Sequence, residues 1–207
     1  MATRRRRKPV LRWEPTPYIA TLLFIVAGSI ALSLTRGLVQ TIVFVVCCAA
    51  AVALIVVLAV RRPQRTANPD SDGALSTLTG LDLIEAAPTG RATRVADTYR
   101  YQSALSSIGL LGGGAIRAVL VPGATRWLGR ELRIGVEIAD GDGRAARAGF
   151  LPREHDERWF DLLMPLREHD VYVVVPATLV GRERPFTLDV DLGGVEAAVA
   201  AAHERSS

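Results

Sequence analysis

Cysteine is nearly missing from this chain: two of its 207 residues, Cys47 and Cys48, and they are adjacent. Successive residues on a helix point about 100° apart, so this pair makes no disulfide staple. Without a disulfide framework the fold has to rest on its apolar core, as in a reducing compartment. Histidine is almost as scarce, with three residues at 155, 169 and 203. No Gly-x-Ser-x-Gly elbow, no paired Cys and His and no close carboxylate dyad occurs. The sequence therefore offers no catalytic constellation, no metal-ligand set and no cofactor motif, and a non-enzymatic protein is expected.

Charge is absent from two long stretches. The first is YIATLLFIVAGSIALSL at 18–34, and the second is LVQTIVFVVCCAAAVALIVVLAV at 38–60, with only Thr35, Arg36 and Gly37 between them. A bilayer core about 30 Å thick takes roughly 17–25 apolar residues in a helix. The expectation is a two-helix transmembrane hairpin over 18–60, turning at Gly37. Small residues at 27–29 and 47–51 permit close helix packing. Basic residues flank the hairpin outside, in the leader (Arg4 to Lys8, Arg12) and after it (Arg61, Arg62, Arg65). The positive-inside rule then puts both termini on the cytoplasmic side of a cell inner membrane. Trp13 and Tyr18 stand where interfacial anchors stand.

The formal charge of +4 does not extend to the rest of the chain. Residues 1–17 carry six basic groups and one acid, whereas from Val95 onward there are 13 basic and 16 acidic side chains. That second region, at roughly −3, lacks the positive field that supplies non-specific affinity for nucleic acid. Between them, 61–94 is rich in Pro, Asp, Ser, Thr and Gly and reads as a flexible linker. Leu75, Leu78, Leu81, Leu83 and Ile84 within it suggest a short amphipathic helix over 74–87; its acidic Asp82 and Glu85 disfavour an anionic bilayer surface, leaving docking on protein or marginal order.

From 95 to 194 the pattern is that of a soluble α+β domain. Strands are expected at 116–121, 132–138, 147–151, 171–180 and 186–192, from alternation and β-branched content. Asp140 to Gly143 reads as a hairpin turn. The Gly112-Gly113-Gly114 run has no following Lys-Ser/Thr and reads as a turn rather than a phosphate loop. A short helix is expected over 102–108. A longer one runs from Pro152 to about Leu166, with Trp159, Phe160, Leu162, Leu163 and Leu166 as its buried face. The tetrapeptide Arg-Glu-His-Asp occurs at 153–156 and 167–170, but His155 and His169 lie about 21 Å apart along a straight helix, too far to share an ion. The expected architecture is a small, mostly antiparallel β-barrel-like sheet with one main packed helix, followed by a fraying tail at 195–207.

The order YQSAL, AVLVP, IGVEI, GFLPREHDERWFDLL, VVVPATLVG and FTLDVDLGG resembles the HIRAN domain, in the versions found in actinobacterial proteins. The likeness covers about 95–194, and its best block is Gly149-Phe150-Leu151-Pro152-Arg153-Glu154. HIRAN domains are small β-barrel modules, often attached to DNA-processing ATPases, and some bind single-stranded 3′ DNA ends. Where the family carries Asn-Pro-Tyr-Asp-x-Asn-Ala, this chain has GATRWLGRELR at 123–133, without the Tyr-Asp pair that grips the terminal nucleotide. The resemblance implies a binding surface at Tyr99, Arg100, Tyr101, Trp127 and Phe150. The functional expectation is a membrane-anchored binding or scaffold protein presenting this module to the cytoplasm. Its partners would be the lipid bilayer and another membrane or cytoplasmic protein; the alternative is a tethered binder of single-stranded nucleic-acid ends.

Overall fold

The computed structural model describes residues 6–10, 13, 16–34, 37–60, 73–75, 77–110, 116–126, 129–139 and 144–206. The chain divides into two compact units, Lys8–Thr66 and a second made of Ala67–Ser207 with Met1–Arg7. The first unit holds helices α1 (Thr16–Leu34) and α2 (Leu38–Val60). They approach closely: a methyl group added at Gly28 would lie 3.0 Å from the Cys47 sulfur. Both cysteines are free thiols.

Among the described residues no helix is long and apolar enough to cross a membrane. The expected transmembrane hairpin, and the multi-pass inner-membrane location with cytoplasmic termini that followed from it, are overturned by this finding. Arg36, on which the orientation turned, lies outside the described residues, as do 61–72 of the linker, Asp140 to Gly143 and Gly112 to Gly114.

The second unit is α+β. Its sheet follows the order β2-β7-β6-β3-β4-β5, with β1 added to β6. The strands are β1 (Asp82–Glu85), β2 (Ala92–Arg94), β3 (Ile116–Thr125), β4 (Leu132–Ala139), β5 (Ala145–Phe150), β6 (Val171–Val180) and β7 (Thr187–Asp191). All pairings are antiparallel except β1 with β6. Two residues past β2, Ala96 bridges Phe150 at the end of β5. Each amide donates to the other's carbonyl, at 2.8 and 3.0 Å. This bridge joins the two ends of the strand order, so the edge backbone there is paired rather than open.

Alternation along the central strands explains the layers. Ala118 and Leu120 of β3, Ile134, Val136 and Ile138 of β4, and Val173 and Val175 of β6 face the main core. The intervening Val119, Val121, Tyr172 and Val174 face outward into a second cluster with Leu75. β3 and β6 are thus covered on both faces, which is why they read as nearly continuous apolar runs. A bulge between Val136 and Glu137 opposite β5 sends Ala148 into the core while Arg147 and Phe150 stay outside.

Three helices pack on this sheet: α3 (Gln102–Leu110), α4 (Arg153–Arg167) and α5 (Val195–Ser206). Trp159, Phe160, Leu163 and Leu166 of α4 are buried at one-face spacing. Leu162, expected among them, is exposed because its position falls off that stripe. Glu154 and Asp156 in the first turn and Arg167 in the last suit the helix dipole. The tail is a packed helix rather than a fraying one: Val195, Ala198, Val199 and Ala202 are buried in the main core.

Among the described residues of 74–87 there is no helix. Leu75 is buried on the outer face of β3 and β6, Leu78, Leu81 and Leu83 pack beside it, and β1 adds to β6. Parallel pairing satisfied the backbone of this strap, and period 2 put Leu83 outward and Ile84 inward. A second fastening follows at 89–90. The Asp191 carboxylate accepts bonds from the Thr89 amide and hydroxyl at 2.6 and 2.7 Å, the Gly90 amide at 2.6 Å and the Gly193 amide at 3.0 Å. Burial pushes this carboxyl up, but those four donors outweigh it and hold its pKa down at about 2.

Candidate binding surface on the outer face of the sheet

The outer face of β4 and β5 is built differently from that of β3 and β6. Between the inward Ile134, Val136 and Ile138, β4 places Arg133, Gly135 and Glu137 outward, and β5 adds Arg147 and Phe150. Arg133 and Glu137 are only 3% and 1% exposed. Polar groups taken this far from water have to be paired. Arg147 Nε donates to Glu137 at 2.5 Å. Arg133 Nε donates to Asp156 at 2.7 Å, and its guanidinium lies 3.5 Å from Asp97. Arg133 also donates to the Leu151 carbonyl, Arg147 to the Gly73 carbonyl and Arg126 to Asp97.

Phe150 is the centre of this cluster and is fully buried. The Arg133 and Arg147 guanidiniums lie 5.2 and 5.0 Å from its ring centroid, within cation–π range. Tyr101 closes a third side, tilted at 60° with ring centroids 6.3 Å apart. Two glycines make room. A methyl at Gly149 would lie 2.4 Å from the Ala96 carbonyl, so glycine permits the closing bridge. A methyl at Gly135 would meet the Arg147 guanidinium at 2.7 Å. Asp97 sits in the left-handed region at φ 62°, a conformation its short polar side chain tolerates. It turns the chain from the bridge at Ala96 into the short helical turn Thr98–Arg100.

That turn carries the exposed part of the site. Tyr99 is 64% exposed. Arg100 donates to the Tyr99 hydroxyl at 2.9 Å and lies 5.4 Å from its ring centroid. The hydroxyl bond raises the Arg100 pKa above its usual value, so this rim is cationic at every accessible pH. Tyr101 is half-buried, and burial raises its phenol. Asp156 is also raised, chiefly by burial, against hydrogen bonds from Arg133 and the Ile134 amide.

The structure thus brings Tyr99, Arg100, Tyr101 and Phe150 to one end of the closing seam. They divide in two: Tyr99 and Arg100 face solvent, while Phe150 is buried against the half-buried Tyr101. Trp127 lies outside the described residues. The sequence reading missed Asp97, Arg126, Arg133, Glu137, Arg147 and Asp156. Their signal was present on β4 and β5: charges and glycines at the alternate positions of strands whose other face is wholly apolar. Among the described residues, no group of three or more His, Cys, Asp or Glu could hold a metal ion. No protein-family model matches the chain, and neither a curated protein nor a solved structure does.

Proposed function

We propose that this chain is a non-enzymatic binding module that engages a protein partner through the Tyr99–Arg100 rim of its sheet domain. The observation that carries this reading is the internal pairing of the seam. The guanidiniums of Arg133 and Arg147 are already bonded to Asp156 and Glu137, and Arg126 and Arg133 share Asp97. Cations neutralised in this way have little left for a phosphate backbone, whose affinity comes from counterion release by free Lys and Arg. An exposed tyrosine stacked with an arginine is instead a composition enriched at protein interfaces. The resemblance to HIRAN domains supports a binding role over a catalytic one.

The second reading is binding of single-stranded nucleic-acid ends, favoured by the exposed ring of Tyr99 beside the Arg100 guanidinium, a face on which a base can stack. One stacked base contributes about 1–3 kcal/mol. Alone, that corresponds to millimolar affinity or weaker. A photoreactive phenylalanine analogue placed at position 99 of the full chain should give a discrete protein adduct in cells that Arg100→Ala abolishes. A 3′-hydroxyl oligonucleotide with a 3′-phosphate control should show no saturation by anisotropy below about millimolar. Micromolar binding that needs the free 3′-hydroxyl and is lost in Tyr99→Ala would replace the protein reading with the nucleic-acid one.

A further inference from the structure

Part of the basic leader lies on the sheet domain, at a place separate from the Tyr99 rim. Arg7 forms an antiparallel bridge with Glu131, just before β4. The Leu132 amide donates to the Arg6 carbonyl at 2.9 Å. The Arg6 guanidinium meets the two carboxylate oxygens of Asp161 at 2.5 and 2.6 Å. The same guanidinium lies 4.6 Å from the centroid of the Phe160 ring. Phe160 belongs to the main core, so its ring is held in place, while Asp161 stands out from α4 into solvent.

Three different kinds of contact therefore converge on one residue: a strand-type backbone bond, an ion pair and a ring face. The combination selects arginine. Its planar guanidinium can engage a carboxylate and stack on an aromatic face at once, which a lysine ammonium cannot do in the same geometry. The backbone bond requires an extended segment, as in strand addition. The ion pair is solvent-exposed, and exposed ion pairs are individually weak and screened by salt. Such an assembly holds at low cost and exchanges readily.

We propose that the leading end of β4 and the neighbouring turn of α4 form a recognition surface for an arginine in an extended basic segment. Arg6–Arg7 of this chain occupies it as a displaceable intramolecular latch. In the closed state the leader's charge is held against Asp161; in the open state both the basic run and the acidic–aromatic surface are free for exchange.

Hydrogen exchange on the full chain tests the latch at a single amide. Arg6→Ala and Asp161→Asn should each speed exchange of the Leu132 amide about tenfold or more, at unchanged circular dichroism. The Ile134 amide, bonded to Asp156 at 3.0 Å, should not change. The charge-swapped pair Arg6→Asp with Asp161→Arg should restore protection in part. A fluorescein-labelled peptide of residues 1–10 should bind the full chain bearing Arg6→Ala and Arg7→Ala, and bind it at least about tenfold more weakly when Asp161→Asn is added. Unchanged Leu132 exchange in both single variants would overturn the latch. Equal binding of a peptide with lysine in place of Arg6 would overturn the arginine selectivity.

Discussion

The two halves of the outer sheet face are covered in opposite ways. Over β3 and β6 the cover is an apolar strap, Leu75 seated on Val119, Val121, Tyr172 and Val174. Over β4 and β5 it is a network of guanidiniums and carboxylates around one phenylalanine. Both exclude water. The apolar half is non-directional and tolerates small shifts, since its stabilisation scales with area removed from water. The charged half is all-or-none. Its ions are costly to bury, and their mutual attraction offsets that cost only while every partner is in place. The exposed rim sits on the charged half, where the supporting geometry is most tightly specified.

The largest effect is expected from removing one ion of the network. Arg133→Ala leaves the largely buried Asp156 without its cation, and leaves Asp97 with Arg126 alone. A loss of about 3–5 kcal/mol is expected, measured by denaturant unfolding of the full chain followed by tryptophan fluorescence. The double variant Arg133→Ala with Asp156→Ala should lose less than the two single changes combined, a coupling of about 0.5–3 kcal/mol. Strict additivity would mean the network is not coupled and would erase the contrast between the halves.

Truncation on the apolar half comes next. Leu75→Ala should cost about 2–3 kcal/mol and expose the backbone of β1 and its neighbours to hydrogen exchange, without altering the Arg133 network. A cost under about 0.5 kcal/mol would show that the strap rests on the sheet without stabilising it.

Acid titration separates two carboxylates of opposite sign. Asp191 has a folded pKa of about 2, below its usual value. Its contribution is present above about pH 4 and is lost as pH falls through 2. Asp156 is raised by burial, so its contribution is present below about pH 4 and is lost as pH rises through its folded value. Asp191→Asn should therefore flatten the fall in stability on the acid side, and Asp156→Asn the fall on the other. The same slope for both variants would contradict the opposite shifts.

The smallest effect on folding is expected at the rim and at exposed pairs. Tyr99→Ala, and Arg117→Ala at its 2.8 Å pair with Glu85, should each change stability by less than about 1 kcal/mol. Tyr99→Ala should still abolish partner capture through position 99's neighbours, because the side chain faces solvent and not the core. A large destabilisation by Tyr99→Ala would make the rim part of the packing and remove it as a binding surface.

Local pattern by itself determined much of the second unit. β-branched alternation marked 171–180 as a strand with the observed bounds, and apolar spacing marked the buried stripe of α4, because both follow from backbone periods of 2 and 3.6. Composition also separated the basic leader from the near-neutral remainder. What stayed out of reach depended on partners distant in sequence. Residues 74–87 have helix-compatible leucine spacing, yet an open edge on β6 made strand pairing the better way to satisfy their backbone. The apolar runs near the N-terminus predicted membrane spans, whereas among the described residues no helix is long and apolar enough for one. The seam was illegible for the same reason of distance: Asp97, Arg133, Arg147, Phe150 and Asp156 become neighbours only when Ala96 bridges Phe150. Tertiary structure decided which tyrosine faces solvent, because local sequence shows residue type and spacing, but burial depends on what the rest of the chain brings against it.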